Sequence, residues 1–264
     1  MKDDLKMRLI RTPVVSLCEG EMEAGSVHEQ LQSWAGFLRA WVVRAGQPIH
    51  KRLRREKLAL FFEISADTEK NTLLDVGGNS GIDSEWAPLY EAFREVAVAN
   101  LDPSPDQNPL PHVRRMVADG CCLPFADRSF DWVFSNAVLE HVGGAEQQRR
   151  FAAEISRVAK YGYFVTTPNK FFPIEPHTLL PLYQFLPERW QRRVVGISPY
   201  YAHVYEEIRL LGAREMRALF PEARVVSTGF PMVGTSLVAM RAECRSPKGG
   251  WSTRPMAGGK TAQP

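Results

Sequence analysis

The chain has 264 residues and a mass of 29.8 kDa, with 44% hydrophobic and 24% charged residues. This size fits one large domain, and this composition excludes a largely disordered chain. No apolar run approaches the roughly 20 residues that are needed to span a bilayer. The first ten residues are too acidic and too poor in apolar residues to resemble a signal peptide.

The net charge of +3 is unevenly distributed along the chain. Residues 245–264 carry four basic residues and no acidic one, which leaves the rest of the chain at −1. A nearly neutral folded part argues against a nucleic-acid partner. The four cysteines are Cys18, Cys121, Cys122 and Cys244. They show neither paired spacing nor histidines at metal-ligand spacing, so we expect no disulfide framework and no metal site. We therefore expect a reducing, cytoplasmic setting.

Residues 1–68 are predicted to form a helical extension. Leu31, Trp34 and Leu38 recur at helical spacing and predict a helix over 27–44, which Gly46 and Pro48 separate from a second helix over 49–64. The second helix holds a basic cluster between residues 51 and 57. This cluster is typical of a solvated helix face, and it also allows a docking surface for an anionic substrate or peripheral contact with a membrane.

Strands and helices alternate between residues 69 and 244. Buried-strand patterns at 71–76, 95–101, 112–118, 129–135 and 161–167 are separated by helical or turn segments. They predict a doubly wound, mostly parallel, Rossmann-like α/β sheet. The last two strands, at 224–228 and 235–241, are connected too closely for a crossover helix and predict an antiparallel edge hairpin. Residues from about 168 to 205 interrupt the alternation, and residues 245–264 have the composition of a disordered tail.

The segment LLDVGGNSGIDSE, residues 73–85, joins the first strand to a helix. Glycines at such a junction let the backbone turn tightly and approach a ligand. Asp102 follows the second strand, where a carboxylate can accept hydrogen bonds from two ribose hydroxyls. Asp119 follows the third strand, where it can accept from an exocyclic amine. Three consecutive strand ends therefore carry ligand-suited chemistry at one edge of the predicted sheet.

The segments LLDVGGNSG, NLDPSP, ADGCCLPFADRSFDWVFSNAVLEHV and GYFVTTPN resemble the class I S-adenosylmethionine-dependent methyltransferases, in particular their small-molecule branch. The resemblance runs from about residue 73 to 167. It implies S-adenosyl-L-methionine as cofactor, with its ribose on Asp102 and its sulfonium beside Asn136. It further implies that the glycine loop lines the methionine end through Asp75, Gly77, Gly78, Asn79 and Gly81, and that the adenine is held by Asp119, Gly120 and Cys121.

One position departs from the family pattern, because Asn79 stands where the loop usually has glycine. Asparagine adopts left-handed backbone more readily than other non-glycine residues, so we expect cofactor binding to be kept. A non-catalytic cofactor-binding or partner-binding protein of the same fold is the alternative. The loop lacks the G-x-G-x-x-G pattern of nicotinamide dehydrogenases, and SNAV stands where amino-methylating DNA and protein enzymes carry an NPPY-type tetrapeptide.

Methyl transfer to a hydroxyl needs a general base near the methyl group. The candidates are His141, in LEHV, and Glu175 and His177, in the segment after the fifth strand. Glu140 precedes His141, so we expect only one of the two to face the pocket; His141 packing beneath the acceptor site is the alternative. The apolar residues of 170–203 predict a lid for a small or lipid-like, partly hydrophobic acceptor, or else a packing or dimer surface. The methyl-accepting atom could also be a carbon or a nitrogen instead of a hydroxyl oxygen. The sequence does not indicate which oligomeric state the protein has.

Overall fold

The computed structural model describes residues 27–78, 86–103, 110–195, 208–230, 233–245 and 251–253. In chain order its elements are α1 (Val27–Ile64), β1 (Thr72–Val76), α2 (Ala87–Glu91), β2 (Glu95–Asn100), β3 (Val113–Val117), β4 (Phe130–Asn136), α3 (Ala145–Val158), β5 (Ala159–Pro168), the 3-10 turn η1 (Tyr183–Phe185), α4 (Glu188–Val194), α5 (Ala213–Leu219), β6 (Arg224–Thr228), β7 (Ser236–Arg245) and β8 (Trp251–Thr253).

The strands form one sheet in the order β3-β2-β1-β4-β5-β7-β6. Pairing is parallel from β3 to β5, while β7 lies antiparallel between β5 and β6. This arrangement confirms the predicted doubly wound, mostly parallel fold with antiparallel strands at its C-terminal edge. From β1 the strand order runs through β2 to β3 on one side and continues with β4 and β5 on the other side. The switch point therefore lies between β1 and β4, and ligands bind at the carboxyl ends of the strands at such a point.

Apolar residues on alternate strand positions build a core on each face of the sheet. On one face, Val133 packs with Phe151 and Ile155 of α3 and with Met216 of α5. On the other face, Trp132 packs with residues of α1 and α2, among them Phe61, Leu89 and Tyr90. Helices thus cover both faces, and the end of α1 is part of the core.

Two segments differ from the prediction. The helices expected at 27–44 and 49–64 are one helix, with Pro48 inside it. A proline removes one helical hydrogen bond and crowds the preceding turn, but it does not force the helix to end. Within the predicted tail, the short strand β8 pairs with Glu243–Arg245 of β7, since a tryptophan and a threonine there suit a strand.

The predicted leader at 1–25 lies outside the described residues, as do residues 196–207 of the predicted insertion. The described part of the insertion contains η1 and α4. None of the helices in the described ranges has the length and hydrophobicity that crossing a bilayer requires.

Candidate active site

The chain turns sharply after β1 at Gly77 and Gly78. Gly77 has a φ of +80°, in the left-handed region that favours glycine. A Cβ at Gly77 would lie 2.4 Å from a methyl carbon of Val138, and a Cβ at Gly78 would lie 2.2 Å from the Asp75 carboxylate. Both positions therefore need glycine for the turn itself. The loop residues Asn79 and Gly81 lie outside the described part of the chain.

Asp75 lies beneath this turn and is 3% exposed. Its Oδ2 accepts a hydrogen bond of 2.6 Å from the Tyr90 hydroxyl. Burial raises the pKa of Asp75 to about 7, although the Tyr90 hydrogen bond acts in the opposite direction. At neutral pH the carboxyl group is therefore only partly ionised.

The ends of β2 and β3 lie side by side and carry the next two aspartates. The Asp102 side chain is 54% exposed and lies 3.7 Å from the Arg115 guanidinium, which also donates to the Asp102 carbonyl. The Asp119 carboxylate is exposed and accepts the backbone N–H of Cys121 at 2.8 Å. The sheet order thus brings Asp75, Asp102 and Asp119 to one edge, on three neighbouring strands.

Gly120 and Cys121 form a tight turn against the core. A Cβ at Gly120 would lie 2.6 Å from the Phe151 ring, so no side chain fits. Burial, with the nearby Asp119 carboxylate, raises the pKa of the Cys121 thiol to about 11. The thiol is therefore protonated at neutral pH, and the groups that this turn offers to a ligand are its backbone atoms.

At the end of β4, Asn136 joins a polar network. Its Oδ1 accepts hydrogen bonds from Thr166 at 2.7 Å and from the ammonium of Lys57 at 3.2 Å. Lys57 belongs to the predicted basic cluster on α1, yet it is 9% exposed, whereas Lys51, Arg52, Arg54 and Arg55 are exposed. Burial lowers the pKa of Lys57 to about 8, with the Glu140 charge opposing the shift. The sequence pattern did not separate Lys57 from the exposed basic residues of the cluster, because all of them share one short basic run on α1.

The three predicted catalytic side chains lie in contact with one another. His177 Nδ1 lies 2.6 Å from Glu175 Oε1, and His177 Nε2 lies 3.2 Å from His141 Nε2. The two imidazole rings are nearly perpendicular, with centroids 4.9 Å apart. Glu175 is buried, and its Oε2 accepts the backbone N–H groups of His177 and Thr178. The insertion therefore delivers a carboxylate–imidazole pair to the loop that follows β4.

The charges of this group are set by its contacts. Burial would raise the pKa of Glu175, but the hydrogen bonds and charge of His177 and the hydrogen bonds of Thr178 outweigh it, so the pKa lies below its usual value. Burial, together with the charge of His177, lowers the pKa of His141 in spite of Glu175. At neutral pH Glu175 is ionised and His141 is uncharged.

Glu140 lies beside this group. Its side chain is fully buried, and its Oε2 accepts a hydrogen bond of 2.9 Å from Thr167. Its Oε1 lies 3.9 Å from His141 Nε2. Burial raises the pKa of Glu140 to about 7. The ligand-type atoms of Glu140, His141 and His177 all lie within 4.8 Å of one another, a proximity that spacing along the sequence did not indicate.

Comparisons with known proteins match part of this chain to methyltransferases. Residues 74–166 match the family model described as a methyltransferase domain. The chain is 32% identical over 111 residues to malonyl-[acyl-carrier protein] O-methyltransferase 1 of Coxiella burnetii (strain RSA 493 / Nine Mile phase I). The match covers 42% of this chain and 36% of that protein, so the chain spans about a third of the curated relative's length.

Solved structures of low sequence identity are also similar. One is a chain of the complex between the Haloferax volcanii Trm112 methyltransferase activator and a methyltransferase, with 17% identity, coverage of 76% of this chain and 95% of that chain, and a TM-score of 0.49. Another is the N-methyltransferase NodS of Bradyrhizobium japonicum WM9 in complex with S-adenosyl-L-homocysteine, with 14% identity, coverage of 71% and 85%, and a TM-score of 0.45.

The glycine turn after β1, the aspartates at the ends of β2 and β3 and the family match all fall within one segment of the chain. The chain therefore carries, at residues 74–166, a methyltransferase domain of the class I S-adenosylmethionine-dependent type.

Proposed function

We propose that this protein transfers a methyl group from S-adenosyl-L-methionine to a hydroxyl of a small, partly hydrophobic acceptor. The observation that carries the proposal is the position of Asp75, Asp102 and Asp119 on three neighbouring strands at one sheet edge, beside a turn that excludes side chains. Two polar groups follow the next strand, β4: Asn136 with Thr166 and Lys57, and His141 with His177.

The residues at this edge fit the cofactor by their chemistry. The Asp102 carboxylate is accessible for ribose hydroxyls, and the exposed Asp119 carboxylate with the backbone of Gly120 and Cys121 can take the adenine edge. Gly77 and Gly78 keep the backbone bare where the methionine end would lie, and Asn136 would lie near the sulfonium. When bound, the cofactor supplies the methyl group, and its sulfur leaves without needing an acid.

The protein's own part is alignment of the acceptor and removal of its proton. His141 is uncharged and partly exposed, and we assign the acceptor side of the reaction to His141, His177 and Glu175. Glu175 holds His177 through its Nδ1, and His177 in turn contacts His141. The O-methyltransferase name of the Coxiella relative supports oxygen as the methyl-accepting atom.

The surface of the insertion supports a partly hydrophobic acceptor. Several large apolar side chains on it are exposed, although a solvated loop has no need of them: Phe171, Ile174, Leu182, Phe185 and Trp190. They lie on the same segment as Glu175 and His177. An acceptor that presents an oxygen to the histidines would therefore contact apolar side chains with the rest of its body.

Calorimetric titration with S-adenosylmethionine and S-adenosylhomocysteine tests the cofactor assignment. We expect micromolar binding of both, weakened about 10- to 100-fold in Asp102→Ala through loss of its charged hydrogen bonds. Asp127→Ala is the matched control, since Asp127 is an exposed aspartate that pairs with Arg157 away from this edge, and it should bind normally. Absence of binding at millimolar cofactor would contradict the proposal.

Transfer is tested separately, by following labelled methyl from the cofactor into fractions of cell extract. Incorporation that requires the protein and is abolished by S-adenosylhomocysteine identifies the acceptor. Tight cofactor binding without incorporation into any fraction would instead favour a non-catalytic binding protein of the same fold.

A further inference from the structure

The contact between His141 and His177 has the geometry of two ligands of one metal ion. Their Nε2 atoms are 3.2 Å apart and their rings are nearly perpendicular. A zinc ion with bonds of 2.0–2.1 Å to tetrahedral ligands holds neighbouring ligand atoms about 3.3 Å apart. The alternative is a simple hydrogen bond, in which His141 Nε2–H donates to His177 Nε2.

The hydrogen bond between His177 and Glu175 fixes the orientation of the His177 imidazole. Nδ1 lies 2.6 Å from Glu175 Oε1, and this contact turns Nε2 toward His141. Metal-binding histidines characteristically donate their second ring N–H to a carboxylate in this way. Glu175 is itself held by the backbone N–H groups of His177 and Thr178, so the pair is rigid.

Glu140 supplies an unsatisfied oxygen at the same place. The side chain is fully buried, Thr167 occupies its Oε2, and its Oε1 has no hydrogen-bond partner. A buried carboxylate oxygen without a partner is costly, and a cation offsets that cost. Lys57 is close enough to influence Glu140, but its ammonium donates to Asn136. Oε1 lies 3.9 Å from His141 Nε2.

We propose that Glu140, His141 and His177 bind a divalent transition-metal ion, with Glu175 as the residue that positions His177. Two imidazole nitrogens and one carboxylate oxygen are a ligand set that zinc accepts, with a fourth position left open. The three ligand atoms already lie within 4.8 Å of one another. Ion binding itself does not depend on the function proposed above.

The role of the ion does rest on that function. An oxygen of the methyl acceptor in the open position would release its proton to solvent water at lower pH, because a bound divalent ion lowers the pKa of an oxygen ligand. His141 would then act as a ligand and not as the proton acceptor. The ion would thus provide the activation of a hydroxyl that the proposed function otherwise gives to a histidine base.

Metal analysis of the full-length protein tests the proposal. After dialysis against a chelator, titration with zinc chloride should show one ion per chain, and elemental analysis should confirm the same ratio. Cobalt(II) should give visible bands of a nitrogen–oxygen site, without the charge-transfer band that thiolate ligands add. Glu140→Gln, His141→Gln and His177→Gln should each lower the affinity at least about 100-fold, and Glu175→Gln by about 10- to 100-fold.

His50→Gln is the matched control, because His50 is an exposed histidine of α1 that should leave binding unchanged. If a ligand variant fails to fold, the cobalt spectrum and the metal-dependent rise in melting temperature of the natural chain still decide the matter. No zinc binding below millimolar concentration, or equal affinity in the natural chain and the folded ligand variants, would leave the two histidines as a hydrogen-bonded pair. Cofactor titration of the chelator-treated protein keeps this result separate from the proposed function, since it should be unaffected.

Discussion

At the scale of single residues, the burial of Asp75 makes the stability of the protein depend on pH. The carboxyl group lies beneath the glycine turn with Tyr90 as its hydrogen-bond partner, and burial raises its pKa to about 7. The ordinary pKa of an aspartate is 3.8, and we take this value for the unfolded chain. Between these values the folded protein binds a proton that the unfolded chain does not, so stability falls as the pH rises through this window.

Asp75→Asn should remove this dependence, because the amide oxygen still accepts from Tyr90 and carries no charge. Between pH 5 and 8 we expect the free energy of unfolding of the natural protein to fall by about 2–3 kcal/mol relative to the variant. Urea unfolding at both pH values measures the difference. Parallel pH profiles for the two proteins would show that Asp75 is ionised throughout.

The glycine turn gives a second prediction at this scale. Gly78→Ala would place its Cβ 2.2 Å from a buried carboxylate oxygen, so the turn must shift. Overpacking of this kind costs about 1–3 kcal/mol and should also weaken cofactor binding. Gly144→Ala is the control, since its Cβ would meet only the flexible end of Gln147, at 3.3 Å. Equal urea midpoints and equal cofactor affinity for the two variants would contradict this account of the turn.

These residues also show what the sequence could predict of the site. Asp75 lies near the end of β1 and Gly77 and Gly78 directly follow that strand, so the local pattern was sufficient to predict a glycine turn after a strand. Lys57 contacts Asn136 across 79 residues, and His141 contacts His177 across 36. Such contacts depend on how an amino-terminal helix and an insertion pack on the sheet, and local periodicity carries no information about that.

At the scale of elements, α1 is an integral part of one core of the sheet. Phe61 is fully buried and lies edge-on to Trp132, Phe134 and Phe164, with ring centroids 5.2, 6.0 and 5.7 Å away. The helical periodicity around Phe61 was readable from the sequence. Its continuation through Pro48 was not, because glycine and proline signal local breaks that a long helix can absorb.

Phe61→Ala should therefore destabilise the whole domain. Removing a buried phenylalanine leaves a cavity and costs about 3–5 kcal/mol. Ile49→Ala, at an exposed position of the same helix, should change stability by less than about 0.5 kcal/mol. Urea unfolding followed by tryptophan fluorescence compares the two. A small effect of Phe61→Ala would indicate that α1 folds as an extension separate from the sheet.

At the scale of the whole molecule, the sequence predicted the fold class of the sheet but not the order of its strands. That order divides the candidate site into two halves. Alternating strands and helices indicated a parallel sheet, whereas the insertion of β7 between β5 and β6 follows from tertiary pairing. Most of the proposed cofactor residues lie at the ends of β1, β2 and β3, and Asn136 lies at the end of β4. The Glu140–His177 group lies beyond β4 and β5, on the other side of the switch point.

This division predicts that cofactor binding and acceptor chemistry can be separated by mutation. S-adenosylhomocysteine at 100 times its dissociation constant should stabilise the protein by about 2.7 kcal/mol. For a chain of this size that free energy corresponds to a rise in melting temperature of about 5–10 °C. His141→Gln and His177→Gln should keep this rise while methyl transfer to the identified acceptor is lost, because neither histidine lies on β1, β2 or β3. Differential scanning calorimetry with and without ligand measures the rise, and its disappearance in the two histidine variants would mean that the halves of the site form a single binding unit.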